Sequence, residues 1–240
     1  MMNLNLRTVR EALPAPILPL ALSFYRVVNI LMAKKPEFAI IGTGRSGSTY
    51  VAEMFKASGY ECSHEAYFTP EGPKLRNPER GIHCKGDSSW LAVPFLPDPD
   101  IVAIHQVRHP HKVILSTYNL GWFDENIQNQ RMPFYTFAKE HFEFSDDPLQ
   151  SSLRWYIEWN QRCELITDKR FQIEKLSENI DNLSNWLGRD LTYIEKNRSS
   201  NSNSRRAVVD NPLDDISDRI KEYPEYDRLL EMAETYGYVL

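Results

Sequence analysis

The chain has 240 residues, 42% hydrophobic and 25% charged, the composition of a globular protein with a sizeable core and not of a disordered one. Its formal net charge of −5 excludes the broad basic footprint of a general nucleic-acid binder but leaves room for a local anion site. Cys62, Cys84 and Cys163 are too few and too far apart for a disulfide framework or a zinc cluster, so reduced thiols and a cytoplasmic setting are expected.

Residues 1–36 read as an extension to one domain spanning 37–240. Within it, residues 13–33 are apolar, yet Pro14, Pro16 and Pro19 disturb the first third, and Ser23, Arg26 and Asn29 interrupt the rest. Those residues disfavour a spanning anchor. Leu20, Phe24, Val27, Val28 and Leu31 recur at helical spacing, so the expectation is a helix that packs on the core or touches a membrane surface.

From residue 38 the pattern alternates. Phe38, Ala39, Ile40 and Ile41 form a short apolar run into a Gly-rich turn, the mark of a buried parallel strand. A helix over 49–58 follows, with Val51, Met54 and Phe55 inward, then a short strand over 60–63. Three Pro and three Gly among charges make 69–87 a loop, after which Ser88 or Ser89 caps a short helix through Trp90. A second buried strand is expected over 101–107, and Pro110 suits the first turn of the helix behind it. Helices over 134–142 and 149–167, a strand over 171–173 and a helix over 177–187 closed by Gly188 come next. The segment 197–206 is polar, and helices over 213–223 and 225–236 end the chain. Strands alternating with helices at this spacing define an α/β fold, a parallel sheet flanked by helices on both faces.

The densest chemical signal lies between the first strand and its helix: Gly42, Thr43, Gly44, Arg45, Ser46, Gly47, Ser48 and Thr49. Glycines let successive backbone N–H groups curl inward into an anion nest, and the helix behind adds its positive end. Arg45 supplies a mobile cation; Ser48 and Thr49 supply hydroxyl donors. Gly42 and Gly47 keep the spacing of a nucleotide-triphosphatase loop, but Ser48 stands where that loop has its Lys. The strand over 101–107 ends in Arg108, not in the acid that would hold magnesium. Arg108 at that strand end and Ser116 two turns into the next helix can face the same crevice, so the pattern suits a ligand with two anionic groups and no metal.

These two segments, GTGRSGST after one strand and VRHPHKVILSTYN after another, resemble the paired nucleotide motifs of the P-loop sulfotransferases. The resemblance covers roughly 37–187 and implies a P-loop NTPase-like three-layer fold with 3′-phosphoadenosine 5′-phosphosulfate as co-substrate. It also implies that residues 42–49 hold the 5′ group while Arg108 and Ser116 hold the 3′ phosphate. Ser63-His64-Glu65, the run from Gly86 to Trp90, the run from Trp155 to Asn160 and the run from Phe171 to Leu176 support it. An acceptor (sugar, lipid, peptide or small molecule) is implied, without its identity.

Sulfuryl transfer asks the protein to position in-line partners, stabilise developing charge and remove the acceptor proton. Arg45 suits the second task. For the third, Glu65 and His64 are both candidates; neighbours on an extended stretch point apart, so one of them is expected to face the substrate. Glu65 is preferred, with His64 orienting the loop. His83, Asp87 and His109 read as structural, Asp87 as a helix cap, and Trp155 and Trp159 as core. Arg198, Arg205 and Arg206 are candidates to close over the 3′ phosphate. The loops 68–77 and 122–132 are the expected acceptor pocket.

Overall fold

The computed structural model describes residues 35–73, 85–96, 98–124, 133–193 and 213–240. The helix expected within 13–33, His83, Cys84, and Arg198, Arg205 and Arg206 lie outside the described residues. Among the described residues, no helix is long and apolar enough to cross a membrane.

A five-stranded sheet of β1 (Phe38–Ile41), β2 (Cys62–His64), β5 (Gly86–Ser88), β6 (Val102–Val107) and β7 (Arg170–Gln172) runs in the order β2-β5-β1-β6-β7. Every pairing is parallel. A two-stranded hairpin, β3 (Phe68–Thr69) with β4 (Gly72–Pro73), stands beside it. The central strand shows why both faces must be covered. All four residues of β1 are buried, Ala39 and Ile41 in one apolar cluster and Phe38 and Ile40 in another, as strand alternation dictates.

On the Phe38 side, α1 (Ser48–Ala57) buries Val51, Met54 and Phe55, joined by Leu183 of α5 (Ile180–Leu187). The Ala39 side carries the 3-10 turn Trp90–Phe95, α3 (Pro133–His141) and the long α4 (Pro148–Ile166). Helix α4 starts where Asp147 accepts from Leu149 N–H at 2.8 Å and Pro148 fills the first helical position. Trp155 and Trp159 of α4 stack with ring centroids 4.3 Å apart, so both tryptophans are core, as their spacing suggested. A third cluster joins α2 (Pro110–Asn119) and α4 to α6 (Leu213–Arg219) and α7 (Tyr226–Thr235). Cys62 and Cys163 are free and buried.

Two expectations need correction. The stretch 69–87 is not a continuous loop, because Gly86, Asp87 and Ser88 form β5, a central strand. Three residues with no apolar side chain carry no strand signal; the parallel ladder between β2 and β1 creates the strand. Nor does Asp87 cap the turn at Trp90. Ser89 does, accepting from Leu91 N–H at 3.2 Å, while Asp87 turns to the backbone after β2.

Candidate active site

Chain direction in the sheet locates the crevice. From β1 the chain passes to β2 and β5 on one side; β6 and β7 lie on the other. The carboxyl ends of β1 and β6 therefore flank a topological switch point, where open α/β sheets bind ligands. The loop 42–49 leaves β1 there, and Arg108 leaves β6 beside it.

The loop is wedged on both sides. A Cβ on Gly44 would lie 2.2 Å from the Trp122 ring, so only hydrogen fits beneath that indole. Gly47 adopts φ 98 as the N-cap of α1, a left-handed conformation that favours glycine, and Ile173 leaves no space for a methyl there. Gln106 Nε2 donates to Ser46 C=O at 2.6 Å and holds the loop from within β6. Trp122 packs edge-on against Trp90 and Trp155, with centroids 5.4 and 5.6 Å apart, which ties the loop to the aromatic core.

The two clusters read as separate anion sites touch each other. Arg45 Nε donates to Ser116 Oγ at 2.9 Å, and an Arg108 terminal N–H donates to Arg45 C=O at 2.8 Å. Arg108 is held in turn: Tyr156 O–H donates to its carbonyl at 2.9 Å. The next N–H, of His109, is taken by Glu174 at 3.1 Å, a carboxylate that also accepts from Tyr238 O–H. Burial and the neighbouring Lys112 hold the His109 ring below the usual histidine range.

Beside the loop, β2 ends at His64, whose Nε2 lies 2.9 Å from Ser48 Oγ and 3.1 Å from Thr49 Oγ1. Burial lowers the basicity of this imidazole, against a smaller opposing effect of Glu53. The strand does not continue into Glu65. Glu65 takes φ 50, so the alternation expected for neighbours fails and its carboxylate comes to 3.6 Å from His64 Nε2. Arg45, at φ 72, and Glu65 are the non-glycine residues with left-handed backbone among those described. Such positions are costly and collect at functional sites.

Asp87 holds the backbone around Glu65. Fully buried on β5, it accepts from Ser63 Oγ at 2.5 Å, Phe68 N–H at 2.9 Å and Ala66 N–H at 3.3 Å. Burial pushes this carboxyl above the usual range even though those donors favour the charged form.

The structure thus brings together Gly42, Thr43, Gly44, Arg45, Ser46, Gly47, Ser48, Thr49, His64, Glu65, Arg108 and Ser116. Sequence reasoning passed over Gln106 and the clamping role of Asp87, and it placed Trp122 in an acceptor-pocket loop, whereas Trp122 packs on Gly44 and the aromatic core. Polar His105 and Gln106 inside an otherwise apolar strand were a visible signal; nothing in the sequence marked Trp122 as a support for Gly44. Phe123, next to Trp122, lines a cleft of about 870 Å³ together with Asp124, Lys139, Glu140, His141 and Glu143.

Apart from His64 and Glu65, the charged and hydroxyl side chains gathered here are guanidinium N–H and hydroxyl groups, with the chemistry of hydrogen-bond donors to an anion. Glycine lets the loop backbone pack against Gln106, Trp122 and Ile173, which a Cβ would strike. No protein-family model matches the chain, and no curated protein matches it. Among solved structures, it is similar to the sulfotransferase domain from the curacin biosynthetic pathway. The identity is 12% and the TM-score 0.50, with 87% of this chain and 99% of that one covered. The protein has a sulfotransferase-like α/β fold, a parallel central sheet flanked by helices.

Proposed function

We propose that this protein transfers the sulfuryl group of 3′-phosphoadenosine 5′-phosphosulfate to an acceptor hydroxyl or amine. The observation that carries the reading is the meeting of Arg45, Arg108 and Ser116 over a Gly-rich loop at the switch point. The absence of an acid at the end of β6 favours it over a magnesium-dependent kinase, since Arg108 occupies that position.

Residues 42–49 bind the 5′ phosphosulfate, and Arg108 with Ser116 binds the 3′ phosphate. Both anion subsites share Arg45: its carbonyl anchors Arg108 and its guanidinium rests on Ser116 until the nucleotide competes for it. In the reaction the acceptor oxygen or nitrogen forms a bond to sulfur as the bond from sulfur to the 5′-phosphate oxygen breaks. Arg45 and the loop N–H groups stabilise charge on the departing phosphate. Glu65 takes the acceptor proton, and 3′-phosphoadenosine 5′-phosphate leaves. The chemistry uses no metal. The acceptor is a sugar, lipid, peptide or small molecule.

Calorimetry tests the donor. 3′-Phosphoadenosine 5′-phosphate should bind in the absence of magnesium and more tightly than ATP. Magnesium-dependent ATP binding of equal or greater affinity would replace this reading with a kinase.

A further inference from the structure

His64 Nε2 touches two hydroxyls, and proton accounting gives that contact a consequence. A Ser or Thr hydroxyl owns one proton, and a neutral imidazole nitrogen is either a donor or an acceptor. With a lone pair on Nε2, the ring accepts a hydroxyl proton from Ser48 or Thr49. With a proton on Nε2, the ring donates to the hydroxyl oxygens and leaves their protons to point elsewhere. An anionic group seated on residues 42–49 accepts hydrogen bonds only, so it gains both hydroxyl donors only in the second state.

We propose that His64 is a positioning residue for the anion cradle: it directs the Ser48 and Thr49 hydroxyl protons, and a bound phosphate or phosphosulfate group selects the form protonated at Nε2. The inference rests on the proposed function in one respect, that the cradle takes an anionic group.

The charges around the ring set the sign of the linkage. Glu65 lies 3.6 Å from Nε2, and Glu53 on α1 raises the basicity of the ring. On the neighbouring strand Asp87 faces away, because it pairs with Ser63 while His64 pairs with Ser88. Arg45, the loop cation, reaches towards Ser116. Burial lowers the basicity of the imidazole without a ligand. An arriving anion adds negative charge beside it, favours the imidazolium and drives proton uptake. Affinity therefore rises as pH falls through the histidine pKa of the complex, and the gain stops below that of the free protein.

The test uses 3′-phosphoadenosine 5′-phosphate and protein labelled with 15N in its histidine rings, with His64→Gln assigning the His64 resonances. At saturation Nε2 of His64 should carry a proton; an unprotonated Nε2 in the complex overturns the inference. Calorimetry across about pH 8 to 6 adds a second reading. His64→Gln keeps a permanent N–H donor at a similar reach, so it should bind with near wild-type affinity at the acidic end. His64→Ala should lose about tenfold there, the fold-change of one hydrogen bond. The wild-type affinity divided by that of His64→Gln should rise as pH falls, and the ligand's own titration cancels in this ratio. A flat ratio overturns the proton uptake and makes the bound form the neutral tautomer with its proton on Nε2. Failure of the nucleotide to bind any of the three proteins is a different result: it removes the nucleotide reading itself.

Discussion

Arg45 and Glu65 pay for their positions with left-handed backbone, and neighbours on other elements hold both in place. Arg45 is fixed by Ser116 through its side chain and by Arg108 through its carbonyl. The Glu65 segment hangs from the Asp87 carboxylate and from Ser88 C=O, which accepts Glu65 N–H at 3.3 Å. For a general base, Glu65→Gln should lower turnover by about 10² to 10⁴ while leaving nucleotide affinity near wild type. A turnover assay with the physiological acceptor and calorimetry of the nucleotide check the two halves, and unchanged turnover would exclude Glu65 as the base. Arg108→Ala should weaken 3′-phosphoadenosine 5′-phosphate binding by about 2 kcal/mol, the scale of a lost charged hydrogen bond. Adenosine 5′-phosphate, which lacks the 3′ group, reports the separate cost of releasing the Arg45 carbonyl. Equal losses for both nucleotides would assign Arg108 to loop support alone.

At the scale of elements, β6 does most to organise the site, and its polar residues are the reason. Gln106 reaches the loop 42–49 on one side of the sheet, while His105 meets α4 on the other. His105 Nε2–H donates to Asn160 Oδ1 at 2.9 Å, and Asn160 Nδ2 donates to Tyr156 C=O at 2.8 Å. This chain fixes the helix whose Tyr156 hydroxyl holds Arg108. Burial forces the His105 pKa down to about 4, from an ordinary 6.5. The native state thus keeps His105 neutral where the unfolded chain protonates it. Its contribution is complete above pH 6.5 and is lost as pH falls towards about 4, roughly 3 kcal/mol over that window. Denaturant unfolding at pH 7 and pH 4.5 should show the loss, and His105→Gln should flatten its share of the slope. A variant with the wild-type pH dependence would show that His105 does not carry it.

Across the whole molecule, the aromatic cluster under the Ala39 face connects folding stability to the site. Trp155 is fully buried, stacks on Trp159, and lies 5.3 Å from Trp90 and 5.6 Å from Trp122 by ring centroids. Since Trp122 covers Gly44, a cavity at Trp155 removes support from the loop 42–49 as well as from the core. Trp155→Ala should cost about 3–5 kcal/mol in denaturant unfolding. It should also weaken nucleotide binding, although residue 155 lies on α4 and not on the loop. Wild-type affinity in a destabilised but folded variant would separate the two.

Much of this was legible in the chain because the information was local. The continuous apolar run of β1, the glycine spacing of 42–49, Pro110 at a helix start and Gly188 past a helix end each act within a few residues. The candidates Arg45, Glu65, His64 and Arg108 could be picked out for the same reason, as polar side chains just after recognisable strands, and Ser116 as a hydroxyl two turns into the helix after one of them. What remained hidden depended on contacts between distant segments. Strand β5 exists because β1 and β2 supply its ladder, although Gly86, Asp87 and Ser88 have no strand preference of their own. Trp122 comes to rest on Gly44, and the Arg45 guanidinium on Ser116, 71 positions along the chain. The left-handed turn at Glu65, which swings its carboxylate towards His64, occurs beside a buried Asp87 some twenty residues later in the chain. Local sequence determined which groups this protein can offer an anion; tertiary packing decided which of them touch, because hydrogen bonds and steric exclusion act across space without regard to chain order.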